Sequence, residues 1–147
     1  MSQAIRRALY GKMAGDSTLT NLLASPPTGL SKSIFHQQAP DAANAPFVIF
    51  NKQAGTPAYS YRNRAYDNEL WLIKGVASSA TAGTVSVDDA ADAISSRLNA
   101  LLTDGTISIS AATQLYLRRE SDVEYSEQPE GQPRYVHAGA LYRLMYQ

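Results

Sequence analysis

Helical spacing of apolar residues predicts a first helix at the start of the chain. The apolar positions are Ile5, Ala8, Leu9 and Met13. They predict a helix that has Ser2 as its N-cap and runs to about Ala14. Gly15 suits the position that follows a helix, and Asp16 offers an N-cap for a short helical turn through Leu19.

A longer amphipathic pattern predicts the main helix of the chain, from about Val87 to Leu102. Its apolar positions are Val87, Ala90, Ala91, Ile94, Leu98, Leu101 and Leu102. Ser86 is expected at the N-cap, and Asp89 three residues later resembles the acidic member of a capping box. Gly105 is expected to stop this helix, and the stretch "SSATAGTVS" before it is loop by composition.

Several segments have the short apolar runs or the alternation that are typical of β-strands. They are residues 47–52, 69–77, 106–110, 113–125 and 134–147. Residues 69–77 carry few charges on either face, which predicts a central strand. The last segment alternates cleanly and has one apolar face. That face consists of Val136, Ala138, Ala140, Tyr142, Leu144 and Tyr146.

The summed order of elements predicts an α+β fold with one mostly antiparallel β-sheet and two main helices packed on one face. The 147 residues suit a single domain. Projecting loops are expected at about residues 53–68 and 124–134. In the strand at 113–125, Leu115, Leu117 and Val123 are expected on one face. The other face is expected to carry Tyr116, Arg118, Glu120 and Asp122.

One face of the predicted sheet has more apolar side chains than a monomer would leave in water. The residues expected to point away from the helices are Trp71, Ile73, Leu141 and Met145. Because soluble monomers rarely expose a large continuous apolar patch, this arrangement predicts that another molecule covers the face or that the protein assembles.

Composition and charge narrow the classes of partner. Lys plus Arg and Asp plus Glu number 13 each, so no net charge draws the chain to DNA or to an anionic membrane. The chain has no cysteine, which excludes disulfides and cysteine nucleophiles. The start has no signal-peptide pattern, and no apolar run approaches the ~20 residues that cross a bilayer. We therefore expect a soluble protein with no membrane partner.

Candidate catalytic and metal-binding motifs have simpler structural explanations. Asp88, Asp89 and Asp92 repeat a magnesium-binding spacing, but acidic residues in the first turn of a helix complement its dipole. His36 and His137 lack the surrounding acidic cluster of a metal site. His137 is expected to be a solvated or interface residue. No catalytic residue, metal ligand or cofactor is predicted.

The tyrosine- and arginine-rich segment at residues 56–68 is the strongest candidate for a binding site. Its candidate residues are Tyr59, Tyr61, Arg62, Arg64 and Tyr66. Tyr and Arg are enriched at protein–protein hot spots, and they also stack on nucleotide bases. A loop folded back on its own domain is a third interpretation. The other interface candidates are Trp71, Arg118, His137 and Arg143.

The order of these patterns along nearly the whole chain also resembles a known family. A first helix followed by "DSTLTNLL", then the strand "PFVIF" at residues 46–50, are two of the matching features. Next comes a tyrosine-containing loop that precedes the hydrophobic strand at residues 70–76. The remaining features are the helix "DDAADAISSRLNALL", the strand "LYLRRESDVEY" and the final aromatic-rich strand "ALYRLMY". In this order they resemble the tail completion family of long-tailed bacteriophages, which includes tail terminator and tail-to-head joining proteins.

This resemblance implies a non-enzymatic virion protein, assembled in the host cytoplasm and located at the head–tail junction. Such proteins form a ring, expected here to be a homo-hexamer, that caps the tail tube and stops its polymerisation. The implied partners are the major tail tube protein and a head–tail connector or neck protein, while DNA passes through the lumen without specific binding. The alternatives are another connector or neck protein of similar build and, less favoured, a single-stranded nucleic-acid-binding module.

Overall fold

The chain forms one five-stranded β-sheet that carries its helices on one face, here called the inner face. The computed structural model describes residues 1–147. The helices are α1 (Ser2–Ala14), α2 (Ser17–Thr20) and α3 (Val87–Leu102). The strands are β1 (Ile34–His36), β2 (Phe47–Ser60), β3 (Asn63–Ser78), β4 (Gln114–Glu127) and β5 (Tyr135–Tyr146). The strand order is β1-β2-β3-β5-β4, and only β1 and β2 pair in parallel. The predicted α+β fold is confirmed.

The main hydrophobic core lies between the helices and the inner face of the sheet. The helices supply Ile5, Leu9, Met13, Ile94, Leu98 and Leu102, all fully buried. The alternating face predicted for β5 is confirmed, because each of its six apolar members is buried. At Gly75 in β3, an added Cβ would lie 2.4 Å from Ile94 Cγ2. Glycine at this position therefore lets α3 pack directly on the central strand.

Two of the three predicted N-cap residues are confirmed, and one is wrong. Asp16 caps α2, since its Oδ2 accepts a hydrogen bond from the Leu19 amide at 2.9 Å. Ser86 caps α3, because its Oγ accepts from the Asp89 amide at 3.1 Å. The prediction for Ser2 is wrong: the helix already includes Ser2, Met1 occupies the N-cap position, and no side chain caps α1.

Asp16 also ties α2 to α3 through an ion pair. Its two carboxylate oxygens accept from Arg97 Nη2 at 2.6 Å and Nε at 2.7 Å. The hydrogen-bonded Arg97 guanidinium holds the pKa of Asp16 below its ordinary value near 3.8. The carboxylate form is thus favoured by folding. Its stabilising contribution is fully present above the ordinary pKa and is lost as the pH falls through the lower folded value.

Replacing Asp16 by alanine is expected to lower the free energy of unfolding by at least about 1 kcal/mol at pH 7, because the cap is lost together with the ion pair. Asp16→Asn retains an N-cap oxygen and should cost less. Urea unfolding of both variants and the parent at pH 7 and at pH 3 measures this. The difference between Asp16→Asn and the parent should shrink at pH 3. A difference independent of pH would contradict the role given to the ion pair.

Two residues expected on the open face of the sheet lie in the core instead. Trp71 and Ile73 are register partners of Tyr142 and Ala140 on the inner face, and both are buried. The prediction failed because residues 70–73 are apolar at both parities, so alternation does not reveal which set faces inward. Leu141 does lie on the face opposite the helices, here called the outer face, and is half-buried. Met145 shares that face.

The strand β4 is interrupted by irregularities that change which residues share a face. The register shifts between Arg119 and Ser121, so Val123 opposes Gly139 on the outer face while Leu117 opposes Leu144 on the inner face. A bulge inserts one extra residue and reverses the alternation beyond it. The predicted grouping of Val123 with Leu117 is therefore wrong. Asp122 likewise leaves the face that carries Tyr116 and Arg118.

Three segments differ in secondary structure from the prediction. Residues 106–110 form no strand, although Ile107 and Ile109 are buried in the main core. Residues 53–68 are not a loop, because β2 continues to Ser60 and β3 begins at Asn63. Of the second expected loop, residues 124–127 belong to β4 and only 128–134 connect strands.

Candidate assembly surface

The β2–β3 hairpin extends beyond the rest of the sheet as a two-stranded arm. The last residue of β3 that pairs with β5 is Asp67, opposite Tyr146, and β1 ends alongside Phe50. Residues 58–66, here called the arm, pair only with each other. At ~3.3 Å per residue, the arm reaches roughly 13 Å past the end of β5. The segment singled out by its tyrosines and arginines is therefore a projecting β-hairpin.

The turn at the end of the arm has an unfavourable backbone conformation for its residues. Tyr61 has a φ of 52° and Arg62 a φ of 98°. Two-residue hairpin turns with positive φ at both positions favour Asn-Gly or similar pairs, because other side chains clash with the backbone. Residues held in such regions cost of order 1–3 kcal/mol each. The turn is therefore built from residues that its geometry does not favour.

The side chains of the arm divide into free and engaged groups. Tyr61 is 97% exposed and Tyr59 is 68% exposed, and Arg62 forms no ion pair. Arg64 instead forms an ion pair with Asp67, and Tyr66 is half-buried. Three of the candidate residues are thus available to a partner at the tip, whereas Arg64 and Tyr66 belong to the structure of the arm itself.

A buried carboxylate fixes the base of the arm, and no pattern in the sequence predicts it. Glu69 is 2% exposed. Its Oε1 accepts from Lys52 Nζ at 2.6 Å and from the Tyr146 hydroxyl at 3.0 Å, and its Oε2 accepts from Trp71 Nε1 at 2.8 Å. Burial, with the nearby Glu69 charge, raises the pKa of Tyr146. Trp71 is thus a core residue that holds Glu69, and its assignment to an interface is corrected.

The outer face of the sheet is partly open and carries two of the predicted arginines next to each other. Arg118 and Arg143 are register partners on β4 and β5. Arg143 contacts both Glu120 and Asn68, the latter at 2.8 Å between Nη1 and Oδ1. The hydrogen-bonded Arg143 guanidinium holds the pKa of Glu120 below its ordinary value.

Apolar side chains around these arginines are only half-buried. They are Leu70, Leu72, Val123, Leu141 and Met145. Arg118 forms an exposed ion pair with Asp104 at 2.8 Å between Nε and Oδ1. No helix covers this band, so the expectation of an open, partly apolar sheet face holds for β3, β5 and β4. Leu141 and Met145 are members as expected, whereas Trp71 and Ile73 are not.

Of the two roles predicted for His137, solvated residue or interface residue, the first is wrong. Its side chain is about nine-tenths buried, stacks on Tyr125 with ring centroids 4.3 Å apart, and pairs through Nε2 with Glu127 Oε1 at 2.8 Å. Burial lowers the pKa of His137, and the bond to Glu127 opposes this shift. The imidazole thus packs on the outer face near the start of β5.

A cavity of about 470 Å³ lies at the end of the sheet opposite the arm. It is here called the end cavity. Apolar walls come from Phe47, Ile49 and Val76, and Tyr135 and His137 complete one side. Two carboxylates, Asp41 and Glu127, also line it. The cavity combines an apolar interior with negative charge, which suits an aromatic or cationic side chain.

Two further observations concern function classes. No group of three or more His, Cys, Asp or Glu side chains is positioned to hold a metal ion. None of the helices has both the length and the apolar character needed to cross a bilayer.

Comparison with known proteins finds likeness in structure but not in sequence. No protein-family model matches the chain, and no curated protein matches it. A solved chain from the "Virion of native gene transfer agent (GTA) particle" aligns with a TM-score of 0.68 over 99% of this chain and 96% of that one, at 15% identity. A second solved chain aligns with a TM-score of 0.51 over 99% and 94%, also at 15% identity. This chain therefore shares its fold, over its full length, with a chain of that virion particle.

Proposed function

We propose that the protein is a structural component of a phage-type virion that forms a ring, caps the tail tube and joins the tail to the head. The observation that carries the proposal is the fold likeness to a chain of a gene transfer agent particle, which spans both chains almost completely. Because the alignment covers 99% of this chain, it includes the arm, the sheet and the helices. The tail-capping role comes from the resemblance of the sequence to the tail completion family.

The distribution of surfaces supports assembly into a closed ring. A ring needs a heterologous interface, in which two different patches of the same subunit meet. The arm and the end cavity lie at opposite ends of the sheet, and the half-exposed band on the outer face is a third distinct surface. The proposed assembly is a homo-hexamer at the head–tail junction of the virion.

The charge of the chain suits a lumen through which DNA moves. Phosphate contacts depend on Lys and Arg that are free to bind, and binding strength rises with their number. The chain has equal numbers of acidic and basic residues, and many of its arginines already form ion pairs. We therefore propose that DNA passes without specific binding. The proposed partners are the tail tube protein and a head–tail connector.

A connector or neck protein of similar build is the second candidate, because the same fold and surfaces would serve it equally. The two functions differ in their partner. A tail terminator binds tubes of the major tail protein, whereas a connector binds the portal side of the head. Exposed Tyr59 and Tyr61 also leave a nucleic-acid-binding role open to test, although Arg62 is the only unpaired arginine beside them.

Replacing Tyr59, Tyr61 and Arg62 together by alanine is expected to leave the fold intact and to impair assembly. The parent should reach the mass of six chains of 15.9 kDa, alone or on tail tubes, by light scattering or mass photometry. The triple variant should lose this species while retaining its circular dichroism spectrum. Unfolding of the variant would contradict the arm as a surface element. If the parent binds single-stranded DNA at low salt but not at high salt, and the triple variant does not bind it, the nucleic-acid-binding role is favoured instead.

A further inference from the structure

We propose that the tip of the arm of one copy inserts into the end cavity of the next copy. This contact would be the interface between neighbouring subunits of the proposed ring. It rests on the proposed function only in that the contacts are taken to close into a ring. Its partner is a second copy of this chain. Tyr61 and Arg62 are the inserting residues, and the apolar walls with Asp41 and Glu127 are the receiving surface.

The arm cannot reach the end cavity of its own chain. The tip lies at the start of β3, which runs from Asn63 to Ser78, and the cavity is lined by Val76 and Ser78 at the other end of the same strand. Fifteen residue steps at ~3.3 Å place the two sites roughly 50 Å apart. A contact between them must join two molecules. Because the two patches differ, the contact is heterologous and can repeat around a ring.

The turn supplies the first independent reason for a contact at the tip. Tyr61 and Arg62 adopt positive φ at a cost to folding, and within the chain the ring of Tyr61 gains nothing, since it is 97% exposed. Strained backbone positions persist where the strain serves a function. A Tyr-Arg turn aims one aromatic ring and one guanidinium outward together. Those are the side chains most enriched at interface hot spots.

The chemistry of the end cavity matches the tip. Its volume of about 470 Å³ lies within the usual range of binding pockets, about 300–1,000 Å³. Phe47, Ile49 and Val76 offer apolar contact to a tyrosine ring. Asp41 forms no ion pair within its own chain and can accept from the guanidinium of Arg62, with Glu127 on the same rim.

The absence of native cysteine permits a direct cross-linking test. One chain carries Ser60→Cys, beside the tip but leaving Tyr61 and Arg62 in place. The other carries Ala43→Cys, in the wall of the end cavity. Mixed under mild oxidation, they should form a disulfide-linked pair of unlike chains in high yield. The matched control pairs Ser60→Cys with Thr84→Cys, which is exposed at the same end of the molecule but outside the cavity.

A second pair of substitutions separates contact from folding. Tyr61→Asn with Arg62→Gly gives the turn residues that its backbone favours, so the melting temperature should rise. The same variant should self-associate at least tenfold more weakly by sedimentation velocity. Reversing both charges, Arg62→Asp with Asp41→Arg, should restore association that either reversal alone weakens.

The outcomes distinguish this contact from the ring proposal. The contact is contradicted if Ala43→Cys and Thr84→Cys cross-link equally to Ser60→Cys, or if the turn variant self-associates as strongly as the parent. If the parent still assembles in that case, the ring proposal stands. A turn variant that self-associates normally but no longer binds tail tubes also overturns it, and assigns the arm to the tube. A parent that stays monomeric in solution and on tubes contradicts both.

Discussion

Replacing Glu69 by alanine is expected to lower the free energy of unfolding by about 3–5 kcal/mol, the range for breaking a buried charged network. The carboxylate is 2% exposed and accepts hydrogen bonds from Lys52, Trp71 and Tyr146. Removing it leaves an indole N–H and a phenol without partners inside the protein. Urea unfolding followed by tryptophan fluorescence measures the effect, because the chain has one tryptophan and it bonds to Glu69.

Two matched variants separate the charge of Glu69 from its hydrogen bonds. Glu69→Gln keeps the volume and an acceptor oxygen, so it should cost less than alanine. Lys52→Met removes the cation at the edge of the network, where the side chain is 34% exposed, and should cost less still. Equal and small effects of all three substitutions would show that the network does not hold the base of the arm.

The second large effect is expected at Leu98, where replacement by alanine should cost about 2–5 kcal/mol. Leu98 is fully buried in the main core, on the face of α3 that packs against the sheet. The loss combines removed apolar contact with the cavity left behind. Differential scanning calorimetry and urea unfolding give the value. Ser96→Ala on the exposed side of the same helix is the control and should change stability by no more than about 0.5 kcal/mol. Similar costs for both would mean that α3 is not packed as described.

The helices and the last strand could be predicted from sequence because their side chains repeat with the period of the structure. In α3, the apolar stripe and the Ser86 cap agree, and in β5 each alternate residue is apolar. Local pattern and tertiary burial point the same way in these elements.

The arm could not be predicted as strand for a physical reason. Both faces of residues 58–66 meet water, so no alternation of apolar and polar residues marks the pairing. The strands here are stabilised by backbone hydrogen bonds between β2 and β3. Because these bonds do not depend on an alternating side-chain pattern, the sequence does not indicate them. Composition alone identified Tyr59, Tyr61 and Arg62 as candidates, and they lie exposed at the tip as a binding surface requires.

Other errors came from long-range contacts. Trp71 has a residue type that is common at interfaces, yet Phe50 and Tyr142, both distant in sequence, lie beside it in the core, where it is buried. Tyr146 reaches Glu69 across 77 positions, and no local signal announces such a pairing. The bulge in β4 likewise depends on how that strand meets β5. The polar residue that fixes the base of the arm was for this reason invisible in the sequence.

The proposed capping of the tail tube can be observed by electron microscopy of the purified protein with tubes assembled from the major tail tube protein. We expect six-membered rings bound at one end of each tube, and tubes that stop growing once a ring is bound. The variant with alanine at Tyr59, Tyr61 and Arg62 should leave the tubes uncapped. Tubes that grow unchanged in the presence of the parent protein, with no ring at either end, would contradict the proposed capping function.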